Sequence, residues 1–229
     1  MASDRVATGI SSVDRLLGGG LETDCLTEIY GEGGSAKTLF CLEIAARIAR
    51  EGRYVLYVDT EGVSLERLRA IAGADLPKVL GHFLLTSPKD FEEQRRAVAT
   101  ACTLARDGRR PIGLLVVDSL TNFYRLSLSG PDEDEAREAL ALQIADMVAT
   151  TRTRALPALL TNQVWRSPKE GTLEPVGGSY LNHAAKTILR FDRLPGPRRR
   201  VVLMKHRARP EGSVEFVIGS HGLEGGTPS

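Results

Sequence analysis

The chain has no apolar run long enough to cross a membrane. A spanning helix needs roughly 18 consecutive apolar residues, and no stretch of the 229 residues approaches that length. The first residues, MASDRVATG, also lack the apolar segment that follows a basic one in a secretory signal. These absences predict a soluble protein in the cytoplasm with no membrane partner.

Cysteine and histidine are too few and too scattered for a disulfide framework or a zinc site. Cys25, Cys41 and Cys102 are an odd number with no pair at metal-ligand spacing, and the four histidines form no cluster. The sequence therefore argues against both structural zinc and disulfides.

A large excess of one charge is also missing, because the net charge is +1. The charged residues are instead arranged in blocks, with acidic DEDE at 132–135 and basic RRR at 198–200 and KHRAR at 205–209. A polyanionic partner would therefore have to bind a local patch.

Short apolar runs alternate with helical patterns along most of the chain. The runs at 26–30, 54–58, 83–85, 112–117 and 158–161 are typical of buried strands. Apolar residues recur at helical spacing between most of them, for example over 39–48 and 140–148. This alternation predicts an α/β fold with a mostly parallel twisted sheet flanked by helices, in one domain over 1–229.

The pattern changes at residue 187. Runs at 187–191, 201–204 and 214–218 are separated by turns that contain proline and glycine. Without intervening helices, these runs predict antiparallel strands added at the C-terminal edge of the sheet. The final GGTPS has the composition of a flexible tail, which we place at 224–229.

A glycine-rich segment separates the apolar run at 26–30 from the helical pattern over 39–48. It consists of Gly31, Glu32, Gly33, Gly34, Ser35, Ala36, Lys37 and Thr38, followed by Leu39. Phosphate binding needs consecutive backbone N–H groups, a helix N-terminus, a lysine for the outer phosphates and a hydroxyl group for Mg²⁺. The segment has all four, so it predicts a loop that binds ATP and Mg²⁺. A turn that binds nothing is the alternative.

The loop departs from the usual pattern at Ala36. A glycine normally precedes the lysine of such a loop. A methyl group there can crowd a turn where the backbone approaches phosphate, and the conformational freedom of glycine is lost. We therefore expect nucleotide affinity to be weakened.

Polar residues follow three strands at the point where each strand ends. Asp118 is placed to hold the water shell of Mg²⁺, or else caps the next segment. Glu61 is the candidate general base that activates water, or else a solvated turn residue. The amide of Gln163 is placed to sense the terminal phosphate, or else makes local hydrogen bonds. We expect all three to converge with Lys37 and Thr38 at the carboxyl edge of the sheet.

With these motifs the chain resembles the RecA/RadA recombinase superfamily and, within it, the RadB family of short archaeal paralogues. The matching motifs are TGISSVDRLLGGGLETDCLTEIYG, the loop itself, YVDTEG with LERL, LLVVDS, LLTNQV and PVGGSYLNHAAKTILRF, in one order from about residue 8 to residue 191. The segment KHRARPEG at 205–212 also resembles that family. The resemblance implies a RecA-like P-loop NTPase core that acts in homologous recombination and DNA repair.

The resemblance also implies individual roles for residues near the nucleotide. It assigns Lys37 and Thr38 to the phosphates and Mg²⁺, and it implies that Arg67 stacks on adenine unless it is a solvated helical residue. Lys205 and Arg207 would reach the nucleotide of the next subunit in an oligomer, or else form a plain basic patch.

The segment after LLTNQ is implied to be a loop that touches single-stranded DNA. It contains Trp165, the only tryptophan, with Arg166 and Lys169 close by. Bases can stack on an aromatic side chain while cations contact phosphates, although Trp165 could equally pack in the core. The loop with Tyr124, Arg125 and residues 129–132 is a second candidate contact, although its acidic continuation favours a solvated helix start.

Full recombinases of this group carry an N-terminal helical DNA-binding domain and a linker that docks on the neighbouring core. The sequence begins almost at the core, so we expect an accessory role beside a main, RadA-like recombinase. Slow ATP hydrolysis fits that role. We expect that the protein does not form long filaments alone, and a homodimer is one option for its oligomeric state. The alternatives are a KaiC-like signalling ATPase and a binding module gated by nucleotide without hydrolysis.

Overall fold

Strands and helices alternate along the chain as the apolar pattern predicts. The computed structural model describes residues 4–128, 133–166 and 173–228. The strands within these ranges are β1 (Arg5–Val6), β2 (Leu21–Glu22), β3 (Leu26–Gly31), β4 (Tyr54–Asp59), β5 (Phe83–Thr86), β6 (Ile112–Asp118), β7 (Ala158–Asn162), β8 (Val164–Arg166), β9 (Leu173–Pro175), β10 (Thr187–Arg193), β11 (Arg198–Lys205), β12 (Gly212–Ile218) and β13 (Leu223–Pro228). The helices are α1 (Ser11–Leu17), α2 (Lys37–Arg50), α3 (Leu65–Ala72), α4 (Leu76–Gly81), α5 (Phe91–Asp107), α6 (Asn122–Ser127), α7 (Glu133–Arg154) and α8 (Gly178–Ala184).

A nine-stranded sheet runs through the centre in the order β13-β12-β11-β10-β3-β7-β6-β4-β5. The strands from β10 to β5 in this order are parallel to one another. β11, β12 and β13 extend the sheet in antiparallel pairing at the other edge. This arrangement confirms the predicted α/β class and the antiparallel additions at the C-terminal edge.

One predicted strand direction was wrong. The run at 187–191 was expected to be antiparallel, but β10 pairs parallel with β3, with Thr187 opposite Thr27 and Phe191 opposite Gly31. Parallel strands need a long crossover connection. The segment between β7 and β10, which contains α8, is such a connection and brings the chain back to the sheet edge at which β7 begins.

The expectation of a flexible tail at 224–229 was also wrong for the residues that the structure describes. β13 pairs with β12, with Phe216 opposite Gly225 and Val214 opposite Pro228. The outer edge of β12 would otherwise present unpaired N–H and C=O groups, and the last segment of the chain pairs with them.

Both faces of the sheet are covered by apolar layers. Along β6, Leu114 and Val116 pack in the layer that includes α2, whereas Leu115 and Val117 pack in the layer that includes α5 and α7. Burial on both faces explains why this strand is a continuous apolar run rather than an alternating one. No helix in the described ranges is long and apolar enough to cross a membrane.

The parallel strands bring their carboxyl ends to one edge of the sheet. Asp59 at the end of β4 lies opposite Asp118 at the end of β6, and Asn162 at the end of β7 lies opposite Tyr30 in β3. The glycine-rich loop leaves β3 at this same edge and runs directly into α2. The fold therefore assembles the candidate site from segments that are distant in sequence.

Candidate nucleotide site and a neighbouring cavity

The glycine-rich loop connects β3 to α2, as predicted. Gly31 has φ +154°, and a Cβ atom there would lie 2.2 Å from the carbonyl oxygen of Phe191 in β10. No larger residue fits that approach. The hydroxyl group of Ser35 in the same loop is buried and has no hydrogen-bond partner among the described residues. An unpartnered buried hydroxyl inside the loop fits a loop that closes around a polar ligand.

Ala36 occupies the position where the sequence departs from the usual phosphate-loop pattern. Its backbone is left-handed, with φ +80° and ψ +21°, and it precedes the first residue of α2. This conformation costs a residue with a Cβ atom roughly 1–2 kcal/mol. The departure therefore falls on a position where the backbone conformation favours glycine.

Lys37 is the first residue of α2 and points back into the loop. Its Nζ donates hydrogen bonds to the carbonyl oxygens of Gly31 at 2.8 Å and Glu32 at 3.1 Å. Burial lowers the pKa of Lys37, and the negative charges of Glu61 and Asp118 oppose that shift. The ammonium group is thus bonded to neutral carbonyls in a half-enclosed site, where an anionic phosphate would be a stronger partner.

Asp118 is buried at the end of β6 and accepts hydrogen bonds from the hydroxyl groups of Tyr57 at 2.8 Å and of Thr161. The hydroxyl group of Thr38 lies beside the same carboxylate and also favours its charged form. Burial raises the pKa of Asp118, and these donors oppose the shift by favouring the carboxylate. The contact with Thr38 joins the two predicted Mg²⁺ residues.

The chemistry of these oxygen groups fits Mg²⁺. In the described part of the chain, no three metal-ligating side chains cluster together. Mg²⁺ is commonly held by one or two protein oxygens together with phosphates and water, rather than by a cage of side chains. The hydroxyl group of Thr38 and the carboxylate of Asp118 are suited to hold the ion or its water shell in that way.

Glu61 lies in a turn that Asp59 organises. The carboxylate of Asp59 accepts hydrogen bonds from the backbone N–H groups of Glu61 at 3.1 Å, Gly62 at 2.8 Å and Val63 at 2.6 Å. Asp59 is buried, whereas Glu61 is exposed at the site. Asp59 was not predicted from the sequence, although an aspartate followed by a turn with glycine is a signal for this kind of hydrogen-bonded turn.

Gln163 connects Glu61 to α6. Its Nε2 donates to Oε1 of Glu61 at 2.8 Å and to Oδ1 of Asn122 at 3.4 Å. Its Oε1 accepts a hydrogen bond from Nη1 of Arg125. The structure therefore brings the candidate base and the candidate sensor into direct contact, as their positions at two strand ends predict.

A cleft of about 360 Å³ lies beside the loop. Residues of the loop on both sides of Ser35 line it together with Glu61 and Arg67, and Ile218 at the end of β12 lies on one side. The guanidinium group of Arg67 donates to the carbonyl oxygen of Gly219 at 3.3 Å. Ile218 had no sequence signal, because the pairing of β12 in the sheet decides where it lies.

Arg199 in β11 supports the loop from behind and was also missed as an individual residue. Its Nε donates to the carbonyl oxygen of Gly34 at 2.9 Å, and its side chain is buried. Burial lowers the pKa of Arg199, and the nearby charge of Arg193 adds to that shift. In the sequence it was one member of a basic run, and nothing there distinguished it from its neighbours.

Trp165 lies in β8 with 45% of its surface exposed, which excludes the alternative that it packs in the core. It lines a separate cavity of about 650 Å³ together with Arg125, Arg137 and Tyr180. Arg166 is the last residue of β8. Lys169 and residues 129–132 lie outside the described residues.

Lys205 and Arg207 make contacts within their own chain. Nζ of Lys205 donates to the carbonyl oxygens of Asn182 and Ala185 at the end of α8. Arg207 forms ion pairs with Glu22 and Asp24. The predicted contact of these two cations with the nucleotide of a neighbouring subunit stays a prediction.

Comparison with known proteins shows the family of this chain. The family profile described as Rad51 matches residues 3–225. The chain belongs to the Rad51 family. Two relatives of this Rad51-family chain are each described as "DNA repair and recombination protein RadB": that of Methanoculleus marisnigri is 39% identical over 97% of this chain and 99% of its own, and that of Methanococcoides burtonii is 36% identical over 96% and 97%.

A solved structure described as the RadB recombinase superposes on this Rad51-family chain with a TM-score of 0.81. It is 36% identical in sequence and covers 96% of this chain and 99% of its own. The likeness confirms the predicted RecA-like core and the resemblance to the RadB family.

Proposed function

We propose that this Rad51-family chain binds ATP with Mg²⁺ and single-stranded DNA, and acts as an accessory protein in homologous recombination and DNA repair. The observation that carries the proposal is the convergence of five side chains at one sheet edge. Gln163 donates to Glu61, Thr38 lies beside Asp118, and Lys37 lies close enough for the charges of Glu61 and Asp118 to act on its pKa. The names of the relatives, which refer to DNA repair and recombination, support the biological role.

Each of these residues has a defined task in binding ATP. Lys37 supplies a cation at the loop, and Thr38 with Asp118 supplies oxygen groups for Mg²⁺. Bound Mg²⁺ would neutralise charge on the outer phosphates. Glu61 is the group that orients and deprotonates a water molecule, and Gln163 holds the Glu61 carboxylate through its amide.

Two features support slow hydrolysis. Ala36 holds a strained backbone conformation in the loop, and the carboxylate of Glu61 is already occupied by the amide of Gln163. The hydrogen bond from Gln163 to Oε1 of Glu61 must break before that oxygen can accept a hydrogen bond from water. The same exchange gives Gln163 a way to respond to the terminal phosphate.

The cavity beside the cleft is suited to a single strand of nucleic acid. Trp165 and Tyr180 offer exposed aromatic surfaces, and Arg125 and Arg137 offer cations at the same cavity. Bases stack on aromatic rings regardless of sequence while arginines contact phosphates. We also propose that the protein partner is a RadA-like recombinase, that the chain forms a homodimer and that it is located in the cytoplasm.

Two variants test the nucleotide part. Lys37→Ala should weaken ATP binding in Mg²⁺ by roughly tenfold or more, because it removes a charge-assisted contact to phosphate. Glu61→Gln should abolish turnover with little change in ATP affinity, measured by isothermal calorimetry and phosphate release. Arg109→Gln is the matched control, since Arg109 is 88% exposed and precedes β6, at the opposite edge of the sheet.

If Lys37→Ala binds ATP with the same affinity as the parent chain, the proposed nucleotide site is wrong. If the parent chain binds ATP without turnover, the nucleotide-gated module without hydrolysis replaces the ATPase. Titration with a labelled single-stranded oligonucleotide tests the DNA part, and binding should weaken steeply with salt. A chain that phosphorylates itself and ignores the oligonucleotide would favour the KaiC-like alternative.

A further inference from the structure

The carboxylate of Asp118 is held from both sides by hydroxyl groups of the neighbouring strands. In the sheet, β6 lies between β4 and β7, so residues of those two strands flank its last residue. The hydroxyl group of Tyr57 in β4 donates to Oδ2 of Asp118 at 2.8 Å, and that of Thr161 in β7 donates to Oδ1. Each oxygen of the carboxylate therefore has its own donor from the protein.

Both donors are fixed in place by burial. Tyr57 is 1% exposed, and its ring stacks on that of Phe83 with the ring centroids 5.4 Å apart. Burial raises the pKa of Tyr57 well above its usual value, so the phenol keeps its proton and remains a donor. Thr161 is also buried. Neither hydroxyl group can turn to solvent, so the carboxylate is fixed in orientation as well as in position.

This arrangement bears on the kind of ion that the carboxylate can hold. A carboxylate whose two oxygens already accept hydrogen bonds has fewer lone pairs left for direct contact with a metal ion. Ca²⁺ takes many oxygen ligands and often binds both oxygens of a carboxylate, whereas Mg²⁺ is smaller and keeps several of its water molecules. The engaged carboxylate of Asp118 therefore suits a hydrated Mg²⁺ better than Ca²⁺.

We propose that Tyr57 is a positioning residue that sets the metal preference of the nucleotide site. Together with Thr161, it holds the Asp118 carboxylate so that this group accepts hydrogen bonds from the water molecules around Mg²⁺ and does not grip Ca²⁺ directly. The inference rests on the proposed function and adds how the chain distinguishes between two divalent ions.

The experiment measures the affinity of the full chain for an ATP analogue whose β,γ bridge cannot be hydrolysed, by isothermal calorimetry. Titrations are made in excess Mg²⁺, in excess Ca²⁺, and in EDTA without either ion. In the parent chain, the affinity should be several-fold higher in Mg²⁺ than in Ca²⁺. In Tyr57→Phe, which removes only the hydroxyl group, this ratio should fall several-fold while the affinity in EDTA stays the same.

Thr161 provides a second test of the same idea. Thr161→Val replaces the hydroxyl group by a methyl group of similar size, and it should lower the ratio as Tyr57→Phe does. Thr161→Ser keeps the hydroxyl group and should restore the ratio, although serine packs less well than valine in a buried position. This comparison decides the question even if Tyr57→Phe fails to fold.

Tyr54→Phe is the matched control. Tyr54 is the first residue of β4 and so lies at the opposite edge of the sheet, where its ring contacts His82 and Arg110, each at 4.9 Å. The substitution removes the same hydroxyl group from the same strand. The affinities of this variant in Mg²⁺, in Ca²⁺ and in EDTA should all equal those of the parent chain.

The outcomes separate this inference from the proposed function. A parent chain that does not bind the analogue under any of the three conditions would overturn both. A parent chain that binds it equally well in Mg²⁺ and in Ca²⁺ would overturn the inference alone. The same holds if Tyr57→Phe keeps the parental ratio, or if its affinity falls by one factor under all three conditions, because the hydroxyl group would then only support the fold.

Discussion

At position 36 the backbone has φ +80° while the side chain carries a methyl group, and the two conflict energetically. The residue sits between the phosphate loop and the first turn of α2. Relief of this strain should act on both stability and binding, because the peptide groups that adopt this conformation are those that would face a bound phosphate in the proposed function.

Ala36→Gly should strengthen ATP binding and leave the free energy of unfolding unchanged or raised by about 1 kcal/mol. Glycine removes a strain of roughly 1–2 kcal/mol but makes the unfolded chain more flexible, which offsets part of the gain. Calorimetric titration and urea unfolding measure the two effects.

Ala155→Gly is the control for this prediction. Ala155 also has a positive φ, +47°, but it follows α7 and precedes β7, away from the phosphate loop. It should change stability in a similar way and leave the ATP dissociation constant alone. Ala36→Gly binding ATP no more tightly than the parent chain would show that the methyl group is tolerated.

At the scale of elements, the hairpin of β12 and β13 forms one wall of the nucleotide cleft. Ile218 lines the cleft, and Arg67 donates to the carbonyl oxygen of Gly219 in the turn. The turn is attached to α2, because Oε1 of Glu43 accepts a hydrogen bond from the backbone N–H group of Leu223 at 2.7 Å. The helix that begins at the phosphate loop therefore also positions the opposite wall.

Gly222→Ala should detach this hairpin. A Cβ atom at Gly222 would lie 1.7 Å from Oε1 of Glu43, so the carboxylate must leave the N–H group of Leu223. An unsatisfied N–H group costs about 1–3 kcal/mol, in addition to the strain of the positive φ. The variant should lose stability in urea unfolding and bind ATP more weakly.

Gly196→Ala provides the comparison. Gly196 lies in the β10–β11 turn with φ +69°, and a Cβ atom there would have no neighbour within 4 Å. It should lose only the roughly 1–2 kcal/mol of backbone strain and keep ATP affinity. Equal losses in both variants would mean that the contact with Glu43 does not hold the hairpin.

At the scale of the whole molecule, a buried carboxyl group lies in the middle of the sheet. Glu28 in β3 is 1% exposed and accepts a hydrogen bond from Nδ2 of Asn162 at 2.8 Å. Burial raises the pKa of Glu28 to about 7, against the weaker opposing effects of Asn162 and Lys205. β3 lies between β10 and β7 at the centre of the nine-stranded sheet, so the ionisation of Glu28 bears on global unfolding.

The free energy of unfolding should therefore depend on pH through Glu28. A carboxyl group with a raised folded-state pKa contributes stability that is present below its unfolded value of 4.5 and is lost as pH rises through about 7. Across this window the parent chain should lose up to about 3 kcal/mol relative to Glu28→Gln. Urea unfolding of both proteins between pH 5 and pH 8 measures the difference in slope, and parallel profiles would contradict the assignment.

Much of the fold and of the site could be predicted from the sequence. Runs such as IGLLVVD are buried on both faces, so their composition alone indicates parallel strands covered by helices. Asp118 ends a strand, and Lys37, Glu61 and Gln163 come shortly after the end of one. Because parallel strands end at one edge of the sheet, the convergence of these residues followed from local patterns.

Other features depend on which strands lie side by side, and no local pattern encodes that. The direction of β10, the pairing of β13 and the place of Ile218 in the cleft follow from contacts between segments far apart in the chain. The contact of Arg125 with Gln163 joins residues 38 positions apart. Amino-acid type and spacing thus determined the chemistry at each strand end. The packing of the sheet decided which of these groups touch, because contact is a property of the folded chain and not of its segments.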